Sequence, residues 1–137
     1  MFFKNKKNEN DFDDLTKVSA LLIHAAKIDE NFSSVEENII KQTLIKLGAE
    51  NDKIEEIVKK ALKIEEDSNQ ILNFTKTVKN MSEENKIKII ETLWEIIYSN
   101  KIADEYETNL MRRLAGLLYI DNKVMGDIKE RIKKENS

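Results

Sequence analysis

The hydrophobic positions of this chain recur at three- and four-residue intervals along most of its length, broken by short polar interruptions. The fullest example is 93–120, LWEIIYSNKIADEYETNLMRRLAGLLYI. Leu93, Trp94 and Ile97 precede a polar loop, and Leu110, Met111, Leu114, Leu117 and Leu118 follow it. That spacing predicts helix, loop, helix. Asp104 closes the loop and Glu107 stands three residues later, a pairing that satisfies free N–H groups at a helix start. Shifted back by 71 positions (93 to 22), the same plan recurs. Leu22 stands for Leu93, Ala26 for Ile97, Asp29 for Asn100 and Ser33 for Asp104. Glu36 stands for Glu107, Ile39 and Ile40 for Leu110 and Met111, and Leu47 for Leu118.

The same reading extends over the whole chain. Residues 1–12 are expected to be a flexible polar tail carrying Phe2, Phe3 and Phe12, and 13–137 a helical domain. Asp13 or Asp14 caps a first helix over about 14–28, with Leu15, Val18, Leu21, Leu22, Ala25 and Ile28 as its stripe. Ser33 and Glu36 form a capping box for a second helix, which Gly48 ends. Asn51 or Asp52 opens a third, with Ile54, Ile57, Val58, Ala61 and Leu62 inward. A short fourth turns Ile71, Leu72, Thr75 and Val78 inward. Ser82 caps a long fifth, a sixth covers about 105–118, and Asp121 or Asn122 caps a seventh whose stripe is Val124, Met125, Ile128 and Ile132. No segment alternates long enough to be a strand. The expectation is an all-α single domain of about seven helices, built as two pseudo-repeated helix-loop-helix halves.

Composition narrows the function. There is no Pro and no Cys, and Gly occurs three times, at Gly48, Gly116 and Gly126. Helix is thereby favoured, and disulfides, thiolate metal sites and thiol nucleophiles are excluded. The formal net charge of −3 provides no basic excess for nucleic acid. No apolar run approaches the roughly 20 residues that cross a bilayer, and the first residues lack a secretory apolar stretch, so a cytoplasmic protein is expected.

Three features carry candidate chemistry. His24, the one histidine, lies beside the apolar stripe and reads as a packed, hydrogen-bonded side chain, with no triad partner at a telling spacing. No phosphate-binding glycine loop and no HExxH occurs, so no enzyme is expected. The two inter-helix loops are acidic. The first offers oxygen at Asp29, Asn31 and Ser33 and then carboxylates at Glu36 and Glu37; the second offers Asn100, Asp104 and Glu107. Hard divalent cations of the calcium or magnesium type prefer such oxygen sets, although the EF-hand is excluded because its sixth and twelfth positions would hold Ser34 and Ile40. Helix capping explains Glu36 and Glu107 equally well. Should the halves pack about a pseudo-twofold, both loops reach one pole and pool their oxygens. Third, Arg112 and Arg113 are two of the three arginines in a Lys-rich chain, which suggests planar hydrogen bonding. They suit a buried salt bridge to a helix end or a loop carboxylate or, together with Tyr106, a binding surface for a partner or a phosphate. Tyr98, Tyr106 and Tyr119 are expected to line the core edge, hydroxyls outward.

AAKIDENFSSVEENII and IIYSNKIADEYETNLMRRLAGLLYI together resemble the tellurite-resistance TerB family, in its small stand-alone bacterial branch, over about 15–133. The resemblance implies an all-helical fold of two related halves and a role in binding metal or responding to metal and other stress. A similar domain occurs in a membrane-anchored J-domain co-chaperone, which implies protein interaction instead. The family's acidic positions fall on Asp29, Glu36 and Glu107; Asn100 replaces the second expected Asp, and Glu30 and Lys101 replace the usual glycines. Two functions follow as expectations: divalent-cation binding at the acidic loops, or a helical module for a protein partner without metal. Oligomeric state is not legible.

Overall fold

The computed structural model describes residues 9–27, 33–67, 72–99 and 105–136, with backbone alone at 9–12 and 105–107. All regular structure among them is helical: α1 (Glu9–Ala26), α2 (Ser34–Lys46), α3 (Ile54–Asp67), α4 (Leu72–Lys79), α5 (Glu83–Tyr98), α6 (Glu105–Leu117) and α7 (Asn122–Glu135), with one 3₁₀ turn at Asn51–Lys53. α1 packs chiefly on α3 and α4, α5 on α7, and the two long helices α1 and α5 on each other; α2 lies across α5. One core results. From α1 it takes Val18, Leu21, Leu22 and Ala25, from α5 Ile89, Ile90, Leu93, Trp94 and Ile97, and from α7 Met125, Ile128 and Ile132.

Local chemistry sets the helix ends. Ser33 Oγ accepts the Glu36 N–H at 3.1 Å while Glu36 Oε1 accepts the Ser33 N–H at 2.8 Å, the expected capping box of α2. Ser82 Oγ accepts the Asn85 N–H at 3.2 Å, and Asp121 Oδ1 accepts the Lys123 N–H at 2.7 Å. α2 ends in a Schellman turn, with Ala49 N–H bonded to Leu44 O and Gly48 at φ 103° in the left-handed region. α6 ends the same way: Ile120 N–H reaches Ala115 O, but here the left-handed residue is Tyr119, at φ 58°. Gly48 and Tyr119 stand 71 positions apart (119 − 48), as do the first residues of α2 and α6 (105 − 34).

The structure departs from the sequence reading at several places. α1 begins at Glu9, so Asp13 and Asp14 lie inside the helix rather than capping it. Nothing in Glu9, Asp11, Asp13 and Asp14 breaks a helix, and carboxylates in its first turns suit the positive end of its dipole. Asn51 and Asp52 open a 3₁₀ turn before α3 rather than α3 itself. Leu72, expected inward, is exposed, because α4 starts there and its buried face is Phe74, Thr75 and Val78. Tyr119, expected at the core edge, is 71% exposed, since the left-handed turn swings it out of the α6 register. Tyr98 does line the core, buried against Trp94.

Two polar devices brace the packing. Thr43 of α2 meets Thr92 of α5 hydroxyl to hydroxyl at 2.7 Å, both buried. Glu95 of α5 is half-buried, and desolvation raises its pKa from the ordinary glutamate range; Glu135 and Glu91 add to that, while Lys46 and Arg131 oppose it. A carboxyl whose folded pKa lies above its unfolded one favours the fold most when protonated, and this contribution is lost as pH rises through the folded value. Glu95→Gln is therefore expected to raise the melting temperature at pH 7, with the advantage shrinking as pH falls toward 4. Melting curves across that range check the sign.

Candidate functional site

The first acidic loop is held at both ends by ordered side chains. At its entry, Glu65 of α3, largely buried, receives Lys27 Nζ at 2.9 Å on one oxygen and lies 3.3 Å from His24 Nδ1 with the other. His24 is thus hydrogen-bonded, as its position implied, but half-exposed rather than packed into the core. Its partner lies 41 residues away, so no local pattern could have named it. At the exit, Glu36 is buried at 2% exposure and its Oε1 is committed to the Ser33 N–H. Asp29 and Asn31 fall outside the described residues. In the second half, α5 ends with Ser99 Oγ bonding Ile96 O at 2.6 Å, and α6 resumes at Glu105. Asn100 and Asp104 also lie outside the described residues, as do the side chains of Tyr106 and Glu107.

Glu36 thus behaves as a structural cap. Glu36→Ala is expected to destabilise the fold by about 1–2 kcal/mol, since the Ser33 N–H loses its acceptor and the cap loses half its bonds. Urea denaturation with and without added calcium or magnesium reads that loss; under the capping role it is the same in both. Among the described residues, no three His, Cys, Asp or Glu side chains are grouped so as to hold a metal ion. A groove of about 630 Å³ between α1, α3 and α4 is floored by Ile64, Phe74 and Met81 and edged by Asp14, Lys17 and Lys76. Its charged residues are all exposed and of mixed sign, so it offers no convergent polar set for a small molecule.

The most distinctive surface is the outer face of α6. Asn109, Arg112, Arg113 and Gly116 share it at helical spacing and are all exposed, and Tyr119 follows at the turn. No buried salt bridge of the arginines is found among the described residues: both side chains are exposed, Arg112 donating to Asn109 Oδ1 at 3.3 Å. Positions three and four away hold Thr108, Asn109, Ala115 and Gly116 for Arg112, and Asn109, Leu110, Gly116 and Leu117 for Arg113. None is a carboxylate. Arg131, by contrast, pairs with both Glu91 and Glu135.

Tyr119 was missed by the sequence reading as a surface residue, and its one signal was the offset from Gly48. A left-handed conformation costs a non-glycine residue about 1 kcal/mol, offset in part by the Lys79 ammonium 4.7 Å from the Tyr119 ring centroid, a contact worth about 0.5 kcal/mol when exposed. Tyr119→Gly is accordingly expected to stabilise the fold by about 0.5 kcal/mol, measurable as a higher urea midpoint.

Residues 15–130 match the model of the family described as Tellurite resistance protein TerB. No curated protein and no solved structure matches the chain. No described helix is long and apolar enough to cross a membrane.

Proposed function

The chain belongs to the TerB family, and we propose that it acts without catalysis, as an interaction domain that presents the outer face of α6 and its closing turn to a protein partner. The observation that carries this reading is the company Tyr119 keeps. A tyrosine in a conformation suited to glycine is 71% exposed at the end of a helix whose outer face carries two arginines that form no ion pair among the described residues. Aromatic and arginine side chains supply most of the binding energy at protein interfaces. Locally unfavourable choices that packing does not require concentrate at functional sites.

The test is site-specific crosslinking in the native cell. Photoreactive benzoylphenylalanine at position 113 should give a discrete adduct that disappears in a Tyr119→Gly background. The same residue at position 133, exposed on α7, should give none. Equal adducts from both positions, or none from 113, would refute the reading.

A second reading draws on the first loop, where Asp29 and Asn31 lie between the Glu65 and Glu36 anchors. In this reading a divalent cation of the calcium or magnesium type is held by those loop oxygens with Asn100, Asp104 and Glu107, linking the domain to metal or other stress. Glu36 contributes little beyond anchoring, because its Oε1 is already bonded. Cation binding to the native state would raise the melting temperature with calcium or magnesium concentration, and Asp29→Asn would abolish that rise. A melting temperature indifferent to both cations disposes of the reading.

A further inference from the structure

The charge on the α6 face points to the chemistry of its partner, an inference that rests on the interaction reading above. We propose that this face binds an acidic peptide segment, its carboxylates on Arg112 and Arg113 and an apolar or aromatic side chain against the Tyr119 ring.

Two exposed arginines share this face, and Lys79 lies over the Tyr119 ring at its end, in a chain whose net charge is −3. Among the cations elsewhere, Lys27 pairs with Glu65, Lys41 with Glu37 and Glu55, Lys88 with Glu84, Lys123 with Asp127 and Arg131 with Glu91 and Glu135. Arg112 and Arg113 have no such match among the described residues, and Lys79 lies over the Tyr119 ring rather than against a carboxylate. Asp121, two residues past Tyr119, has its Oδ1 occupied by the Lys123 N–H. Guanidinium groups recognise carboxylates through paired, parallel N–H···O bonds, which gives the face both sign and direction.

Gly116 supplies the approach. A Cβ built there meets nothing within 4 Å, so no packing inside the domain requires glycine. It leaves bare backbone between the arginines and the tyrosine, where a peptide main chain passes closely. Gly126, on α7 and equally open, serves as the control. Nucleic acid is the poorer fit, because three cations on an acidic protein neutralise too few phosphates.

The test selects random dodecapeptides displayed on phage against the full chain, then measures the enriched peptide by fluorescence anisotropy. Enriched sequences should carry two or more Asp or Glu residues beside an apolar or aromatic one. Arg112→Ala with Arg113→Ala should weaken binding about tenfold or more without changing the melting temperature, and added salt should weaken it further. Tyr119→Gly should raise the melting temperature and still weaken binding about tenfold. Gly126→Ala should raise the melting temperature and leave binding alone, whereas Gly116→Ala should raise it and weaken binding. A merely structural role for Tyr119 would couple lower stability, not higher, to lost binding. Enriched peptides that need Tyr119 but carry no acidic residues would overturn the acidic partner while leaving the interaction reading in place. Peptides indifferent to every α6 variant, or no enrichment at all, would overturn both. Self-association of the chain in sedimentation equilibrium, abolished by the same variants, would place a second copy on this face and overturn the proposal as well.

Discussion

Trp94→Ala is expected to lower the unfolding free energy by about 3–5 kcal/mol, among the largest effects of any single substitution in this chain. Trp94 is 2% exposed and sits where α5 meets α7. Its ring stacks on Tyr98 at 5.9 Å between centroids, its Nε1–H points to Met125 Sδ at 3.3 Å, and the Lys129 ammonium lies 5.5 Å from its centroid. Truncation removes the largest side chain of the core and leaves a void between two helices already fixed by Leu93, Ile97 and Ile128. Those neighbours are held on rigid helices and collapse only partly, so the cavity adds to the lost transfer energy. Trp94→Phe keeps most of the buried area and gives up only the weak N–H···S contact, so it is expected to cost under about 1.5 kcal/mol. Urea denaturation separates the two: the midpoint should fall sharply for Ala and slightly for Phe, with an unchanged slope. A loss below about 1 kcal/mol for Trp94→Ala would mean that the α5–α7 seam is not part of the main core.

Trp94 also shows what the sequence made legible. Its place in a three-and-four-residue stripe identified it as buried before any fold was known, as it did Leu22, Ile40, Leu93 and Ile128. Caps were legible for the same reason, being local: Ser33 with Glu36, Ser82 and Asp121 lie within three residues of the N–H groups they satisfy. The start of α1 was not, because Asp13 and Asp14 have cap chemistry and nothing upstream breaks the helix. The candidate site was legible only in part. Arg112 and Arg113 stood out by composition, yet their exposure depended on which side of α6 the core took. Tyr119 carries no signature of a left-handed turn, since that position ordinarily asks for glycine. His24 with Glu65 and Lys86 with Leu118 join residues 41 and 32 apart, and helical periodicity does not reach that far.

Lys86 gives the second large effect. It lies on α5, is buried to 8% exposure, and donates through Nζ to the Leu118 carbonyl at 3.1 Å. Leu118 is the last residue before the left-handed turn of α6, so its carbonyl stands at the negative end of that helix. Lys86→Met keeps the apolar stem and deletes the ammonium. The desolvation relieved by removing the charge favours the variant, whereas the carbonyl left without this donor opposes it. A bond from a charged donor contributes about 1.5–3 kcal/mol, and a buried acceptor left unmet costs about 1–3 kcal/mol, so the loss should dominate with a net destabilisation of about 1.5–3 kcal/mol. The damage should be local as well as global. Ile120 N–H, bonded to Ala115 O at 2.9 Å, should exchange with solvent faster in Lys86→Met than the shift in global stability alone requires. Trp94→Ala should raise exchange there only through the global shift. Because the same turn carries Tyr119, Lys86→Met should also weaken any ligand of the α6 face, although Lys86 is buried beneath it and does not touch that ligand. Unchanged stability together with unchanged protection at Ile120 would show the ammonium to be hydrated rather than bonded, and the presentation of Tyr119 to be independent of α5.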